Sequence, residues 1–557
     1  MRHAVLSIAA LLSVLAPLAS TSVPPSGADL DALGPRTGAV DLAAYRVVRY
    51  VAPYRGSDSQ GDGSRTRPWA TVRYALTRAN ATSERRWAVL VAAGTYRTVA
   101  LPLRPYVDLF GGFSAPGWER DLQRFRTVLD AAGRDRLLIG ANHARLDGFV
   151  LRGGRSRTPG GALLCDRTSP TLTNNTFVNN GTRTPTGYLQ GVLHQIGTEG
   201  GAVACLNYAA PRIQGNIFVG NTTEVGGGGA IGLRSQSVRP REEIPPPIIA
   251  ENLFIGNRTG IADTDPDRKK QGRSSNGAAI SLSNALADIE GNVFVQNRAG
   301  GNSDAGGIYC EYESSPRIAR NTFVGNSAED DGGAIYSMKL SEPHIVENLF
   351  SGHRGGATVR LSKDGRARIE RNVFFANPAG GVGCGNSWML LAENTLVHNG
   401  AVGIFYSNRA TDYLKPSTVR GNLVRGHTTA QVTAETPDLV QEGNRIEPPS
   451  PGRTRTPGPE LRIRRVPIEA ARHDPLTGTT LLRLAASPAG VGAQRPGPQI
   501  GGDDLRGIVA RLGERFGLVR ARHGGEWVVF GDLRGDGPFI PTVELLDLEL
   551  PGGPRAR

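Results

Sequence analysis

Three polar phrases in the middle of the chain carry groups suited to acid and base chemistry: Asn302-Ser303-Asp304, Asp330-Asp331 and Gly352-His353-Arg354-Gly355. Paired carboxyls are what glycoside hydrolysis needs, one to protonate the leaving oxygen and another to activate water from the opposite face of the sugar. Shortly after them come Tyr309, Glu311, Tyr336 and Arg360. Tyrosine faces stack on sugar rings and a guanidinium pairs with a carboxylate, so these four read as substrate-binding residues. The same region also holds the residue types of a lyase, which needs a base and a cation to neutralise a uronate carboxylate. Tyr309, Tyr336, Lys339 and Arg360 supply those types.

Metal chemistry has weaker signals. Asp263-Thr-Asp265-Pro-Asp267 alternates carboxylates as a Ca²⁺ loop would, but lacks the glycine and distal glutamate of an EF-hand. Asp532-Leu-Arg-Gly-Asp536-Gly537 places Arg534 and Val543 where such a loop needs ligands. Both read as turns, and Ca²⁺ stays open as a cofactor. No CxxC or Cys/His spacing suggests zinc, and no Ser-His-Asp or phosphate-loop pattern is present.

The elements that must position these residues are announced by a recurring phrase of Asn, an apolar residue or Thr, Phe, an apolar residue, any residue, and Asn. It runs through Asn175–Asn180, Asn216–Asn221, Asn252–Asn257, Asn292–Asn297 and Asn321–Asn326, then loosens through Asn348–His353, Asn372–Asn377, Asn394–Asn399 and Asn422–His427. Asp147-Gly-Phe149-Val reads as its founding copy. The unit is roughly 22 residues with inserted loops, the mark of a solenoid. A Gly pair followed by alternation, as in Gly332-Gly333-Ala-Ile335-Tyr336, and a third apolar pulse such as Pro343-His-Ile345-Val346 make three short strands per coil.

Stacked coils lie about 4.8 Å apart. The spacing predicts a ring ladder from Phe177 to Phe374 and an aliphatic ladder of Leu163, Val203, Ile231, Ile280, Ile308, Ile335, Val359 and Val382. Alternation then turns Tyr309, Tyr336 and Arg360 outward as neighbours. It turns Cys165, Cys205, Cys310 and Cys384 inward, where they read as small buried side chains. Cys165 and Cys205 on adjacent coils leave a disulfide open, whereas Cys310 and Cys384 are three coils apart and too far to bond. The first Asn of each phrase is expected to bond backbone groups of the next coil.

This pattern resembles the right-handed parallel β-helix, or pectin-lyase-like, superfamily over most of residues 50–500. The resemblance implies an all-β solenoid with an N-terminal capping helix and a small C-terminal appendage. The order Asn-Ser-Asp, Asp-Asp, Gly-His before successive Gly-pair strands is similar to the polygalacturonase family. By that resemblance Asp331 is the acid, Asp304 and Asp330 activate water, and His353 tunes their protonation. The alternative reading is structural: Asp before a Gly pair is an ordinary corner residue, and His353 stands where the repeat usually has Asn.

Residues 1–22 have the layout of a secretory signal peptide and 23–48 read as a linker. Residues 49–105 make a cap and first strands, in which Trp69, Val72, Leu76 and Ala79 share one helical face. Residues 106–445 are the repeats, with inserted loops at 182–200, 234–247 and 258–276. Residues 446–502 form a Pro-rich break and closing coil. Residues 503–557 form the appendage, with a helix near Asp504–Phe516 and a strand Glu526–Phe530.

The net charge of +13 comes almost wholly from Arg, since five of 64 basic residues are Lys. Outside a cell that charge suits an acidic polysaccharide or cell-surface glycan, and no nucleic-acid fold signature appears. The chain reads as a secreted or periplasmic monomer, with no transmembrane helix in its mature form. It binds and degrades such a glycan as hydrolase or lyase, or it is a non-catalytic adhesive solenoid.

Overall fold

The structure is a computed structural model that describes residues 40–122, 124–183, 198–235, 245–260, 275–409 and 416–447, together with the backbone of six later strands between 460 and 549. The leader, both aspartate-rich turns, the centres of the three inserted loops and the proposed closing coil lie outside the described residues.

Parallel strands stack into three long sheets of 14, 13 and 12 strands and a fourth of six short strands. One coil shows the order. Arg317–Ala319 belongs to the first sheet, Thr322–Val324 to the second, Ser327–Ala328 to the short sheet and Ile335–Ser337 to the Gly-pair sheet. The fourth, two-residue strand runs from Arg155–Ser156 to Ser327–Ala328 and was not foreseen. Two residues give no period to read.

Both interior ladders form. Rings of Phe177, Phe218, Phe254, Phe294, Phe323, Phe350 and Phe374 stack with centroids 4.5 to 4.9 Å apart. Leu396 and Val424 continue the column. The aliphatic ladder pairs as expected from Leu163 to Val382 and extends to Ile404. All four cysteines face inward, buried and free. Cys165 and Cys205 are direct neighbours.

The founding copy needs a correction of two residues. Leu151, not Phe149, pairs with Phe177. Phe149 instead takes the asparagine register, its N–H donating to Asn175 Oδ1 at 3.0 Å.

The asparagines tie coil to coil in two columns. In the first, each backbone N–H donates to Oδ1 of the next Asn, and each Nδ2 donates to that same oxygen and to a carbonyl of the coil before, from Asn175 to Asn422. The second column, from Asn180 onward, repeats the pattern at the other end of the Phe strand. An amide buried in this way leaves no donor or acceptor unpaired.

The cap helix is Val72–Arg78, with Thr71 as N-cap accepting from the Tyr74 N–H and Val72, Ala75 and Leu76 buried. No helix among the described residues is long and apolar enough to cross a membrane.

The C-terminal strands Glu460–Asp474, Thr479–Leu484, Ile508–Leu512, Arg515–Ala521, Trp527–Gly531 and Thr542–Glu549 close into an antiparallel barrel. The expected helix near Asp504–Phe516 is therefore corrected to two paired strands, with Leu512 opposite Arg515. Gly513-Glu514 between them is a two-residue hairpin signal that the helical periodicity masked. The strand expected at Glu526–Phe530 is present as Trp527–Gly531.

Candidate functional site

The corner before the Gly-pair sheet is set by register. Ile308 pairs with Ile335, so Asp304 and Asp331, each four residues earlier, stand at one corner on adjacent coils. The backbone repeats the match: Gly277 N–H donates to Asp304 O and Ala305 N–H to Asp331 O, both at 3.0 Å.

Asp304 is partly buried, its N–H held by Asn276 Oδ1 at 2.8 Å. Burial, reinforced by the neighbouring charges of Asp330 and Asp331, pushes its carboxyl up to about 7. Asp330 is exposed. Asp331 has a different setting. Its Oδ1 accepts from the N–H groups of Gly332 and Ala357, each at 3.1 Å, and its Oδ2 lies 3.0 Å from Arg360 Nε. Two N–H donors and a guanidinium charge thus converge on one carboxylate while its neighbour is desolvated. Two carboxyls in unlike surroundings are the usual basis for dividing acid and base roles.

Tyr309, Tyr336 and Arg360 are register partners on the outer face, as expected. Their exposure is not as expected. Tyr309 is 3% and Tyr336 5% exposed, and their rings stack on each other with centroids 5.8 Å apart. Tyr309 Oη donates to Met338 Sδ at 2.9 Å, with Glu311 Oε2 at 3.3 Å. Glu311 in turn takes Lys339 Nζ at 3.2 Å. The two rings are therefore parts of a covered wall rather than open stacking platforms. Burial pushes the Tyr336 hydroxyl up to about 12 and Tyr309 well above its ordinary value. Neither supplies a base near neutral pH.

His353 lies inside the tube rather than at the carboxyl corner. It is fully buried and replaces asparagine in the second column. Nδ1 accepts from the Asn326 N–H at 3.1 Å, Nε2 donates to Phe323 O at 3.2 Å, and its own N–H donates to Asn377 Oδ1 at 3.2 Å. A neutral imidazole presents one acceptor and one donor, as a carboxamide does. Burial lowers its pKa to about 4. His427 does the same with Asn399 N–H and Leu396 O.

Two features escaped sequence reasoning. Glu199 sits at the same corner earlier in the tube, 3.1 Å from Arg234 Nη1, and burial pushes its carboxyl up. Phe405 occupies the outward register after Arg360 and Gly383. Its strand lacks the Gly pair that marks earlier copies, so only counting from Ile404 would have found it. Among the described residues no group of three or more His, Cys, Asp or Glu is placed to hold a metal.

Residues 267–424 match the family model described as right handed beta helix region, and residues 54–290 match one described as a protein of unknown function, DUF1565. The chain has the right-handed parallel β-helix fold. Among solved structures it is similar to the periplasmic alginate epimerase AlgG, at 11% identity over 68% of this chain and 84% of that one, with a TM-score of 0.33. It is also similar to the Azotobacter vinelandii mannuronan C-5 epimerase AlgE6 A-module, at 14% identity over 68% and 93% with a TM-score of 0.30. A lacto-N-biosidase from Eubacterium ramulus gives 12% identity over 72% and 68% with a TM-score of 0.29. No curated protein matches the chain.

Proposed function

We propose that the protein is an exported glycan-binding β-helix that lays an acidic polysaccharide along the outer face of its Gly-pair sheet and hydrolyses it at the corner of Asp304, Asp330 and Asp331. The observation that carries this reading is the unequal pair: Asp304 is desolvated beside two carboxylates, while Asp331 faces two N–H groups and Arg360. The roles are then the reverse of those the family resemblance implies. Asp304 is the acid, and Asp331, with the exposed Asp330, serves the water or the sugar carbon. Hydrolysis is favoured over elimination because both tyrosines are driven away from the anionic form a lyase base needs. The Arg-rich charge of +13 suits a polyanion.

The test is incubation with a panel of uronate polymers, with and without Ca²⁺, reading new reducing ends and the ultraviolet absorbance of unsaturated ends. Reducing ends without unsaturation, lost in Asp304→Asn, are expected. Unsaturated ends would replace the hydrolase with a lyase.

One observation favours a non-catalytic adhesive solenoid. The bonds of Asp331 to Gly332 and Ala357 N–H are those an ordinary corner residue makes. That reading gains if neither signal appears while glycan binding survives Asp304→Asn.

A further inference from the structure

The strand after Arg360 is floored with glycine. Gly383 pairs with Arg360 on one side and with Phe405 on the other. A Cβ at Gly383 would lie 3.0 Å from Arg360 Nη1, and one at Gly385 would lie 3.1 Å from Nη2. The missing side chains let the guanidinium lie flat across the next coil. It is held at one end by Asp331, 3.0 Å from Nε, and reaches at the other to within 5.9 Å of the Phe405 ring centroid. Nη1 and Nη2 make no hydrogen bond among the described residues. Arg360 keeps 22% of its side chain exposed and Phe405 is half-buried.

A single side chain is thereby stretched from the carboxyl corner to an aromatic face, with its two-nitrogen edge unspent. A guanidinium edge takes a carboxylate in two parallel bonds, and a half-open aromatic ring takes the apolar face of a pyranose. The covered pair Tyr309 and Tyr336 cannot do the second job.

We infer that Arg360, laid over Gly383 and Gly385, and Phe405 form a sugar subsite one to three coils beyond Asp331 that selects a uronic-acid residue. This inference rests on the acidic-polysaccharide reading and adds residues to it. Phe405 holds the ring, the Nη edge reads the carboxylate, and Gly383 is a positioning residue.

The test titrates the full chain calorimetrically with a uronate oligosaccharide and with the same oligosaccharide reduced at its carboxyls. Wild type should prefer the uronate. Arg360→Gln should weaken uronate binding roughly 10- to 100-fold and leave the reduced chain unchanged. Gly383→Val, which pushes the guanidinium off its floor without removing it, should reproduce that loss. Phe405→Ala should weaken both ligands about tenfold, with Phe405→Tyr restoring them. Thermal melts confirm that each variant is folded. If Phe405→Ala and Gly383→Val bind like wild type while Asp304→Asn still abolishes cleavage, the subsite is refuted and the proposed function stands. If wild type binds neither chain, both fall.

Discussion

Two columns of this tube change residue from coil to coil, and the consequences differ. In the second asparagine column His353 and His427 replace Asn, yet each repeats the carboxamide's one acceptor and one donor, so the column stays paired and dry. The Gly-pair corner has no fixed residue: Glu199, Gly227, Asn276, Asp304 and Asp331 succeed one another in one register. There a carboxylate adds charge that the backbone alone does not neutralise. Asp331 draws in Arg360, and Asp304 is left desolvated beside it. A repeat position is thus scaffold when its substitute reproduces the bonding of the original. It becomes a candidate for chemistry when it does not.

The contrast can be broken from either side. The interior column should dominate stability. Phe294→Ala removes a fully buried ring from mid-stack and should cost about 3–5 kcal/mol in denaturant unfolding. The corner should dominate activity. Asp304→Asn is expected to slow reducing-end release by roughly 10²–10⁴-fold, the usual contribution of a general acid, while leaving the protein folded. In the unmutated protein, release should fall as pH rises through about 7, where Asp304 gives up its proton.

Proton linkage separates the two columns further. His353 titrates near 4 when folded and near 6.5 when unfolded, so its contribution to stability is complete above 6.5 and declines as pH falls toward 4. Asp304 has the opposite sign. Raised from 3.8 to about 7, it contributes most below 3.8 and loses that contribution as pH rises through 7. At about 1.4 kcal/mol per pKa unit the two contributions are of order 3–4 kcal/mol, so they largely offset one another between pH 4 and 6.5. Urea titrations across that range should expose each slope in turn: Asp304→Asn should leave stability falling with acid, and His353→Asn should leave it rising. The smallest effect is also informative. His353→Asn restores the ladder residue and should leave the rate of glycan cleavage within about twofold of wild type at neutral pH.

Much of the fold was legible because a solenoid writes its register repeatedly. Seven phenylalanines in one phrase mark the ring column, and eight aliphatics, seven of them after Gly pairs, mark the second. Copies that departed from the phrase were harder. Phe149 matched the wording but sits in the asparagine register, two residues from the column. Phe405 was invisible because no Gly pair precedes it. At the candidate site, alternation correctly turned Tyr309, Tyr336 and Arg360 outward. Facing outward is a property of one strand, whereas exposure depends on what neighbouring turns cover, and here they bury both rings. His353 misled for a related reason. Its neighbours in sequence suggested acids, while its register made it a substitute amide. In the C-terminal region, Ile508–Ala521 carries both a helical and a period-2 pattern over a short span, and only strand partners far along the chain decide between them.

The proposed reaction turns on the proton of a single carboxyl. Carbon-detected NMR titration of the Asp304 side chain, assigned through Asp304→Asn and repeated in Asp331→Asn, reads it directly. A midpoint near 7 in the wild type that drops when the neighbouring charge is removed is the predicted result. A midpoint near 4, unmoved by that substitution, would contradict the division of labour between the two columns and remove the acid from the proposed reaction.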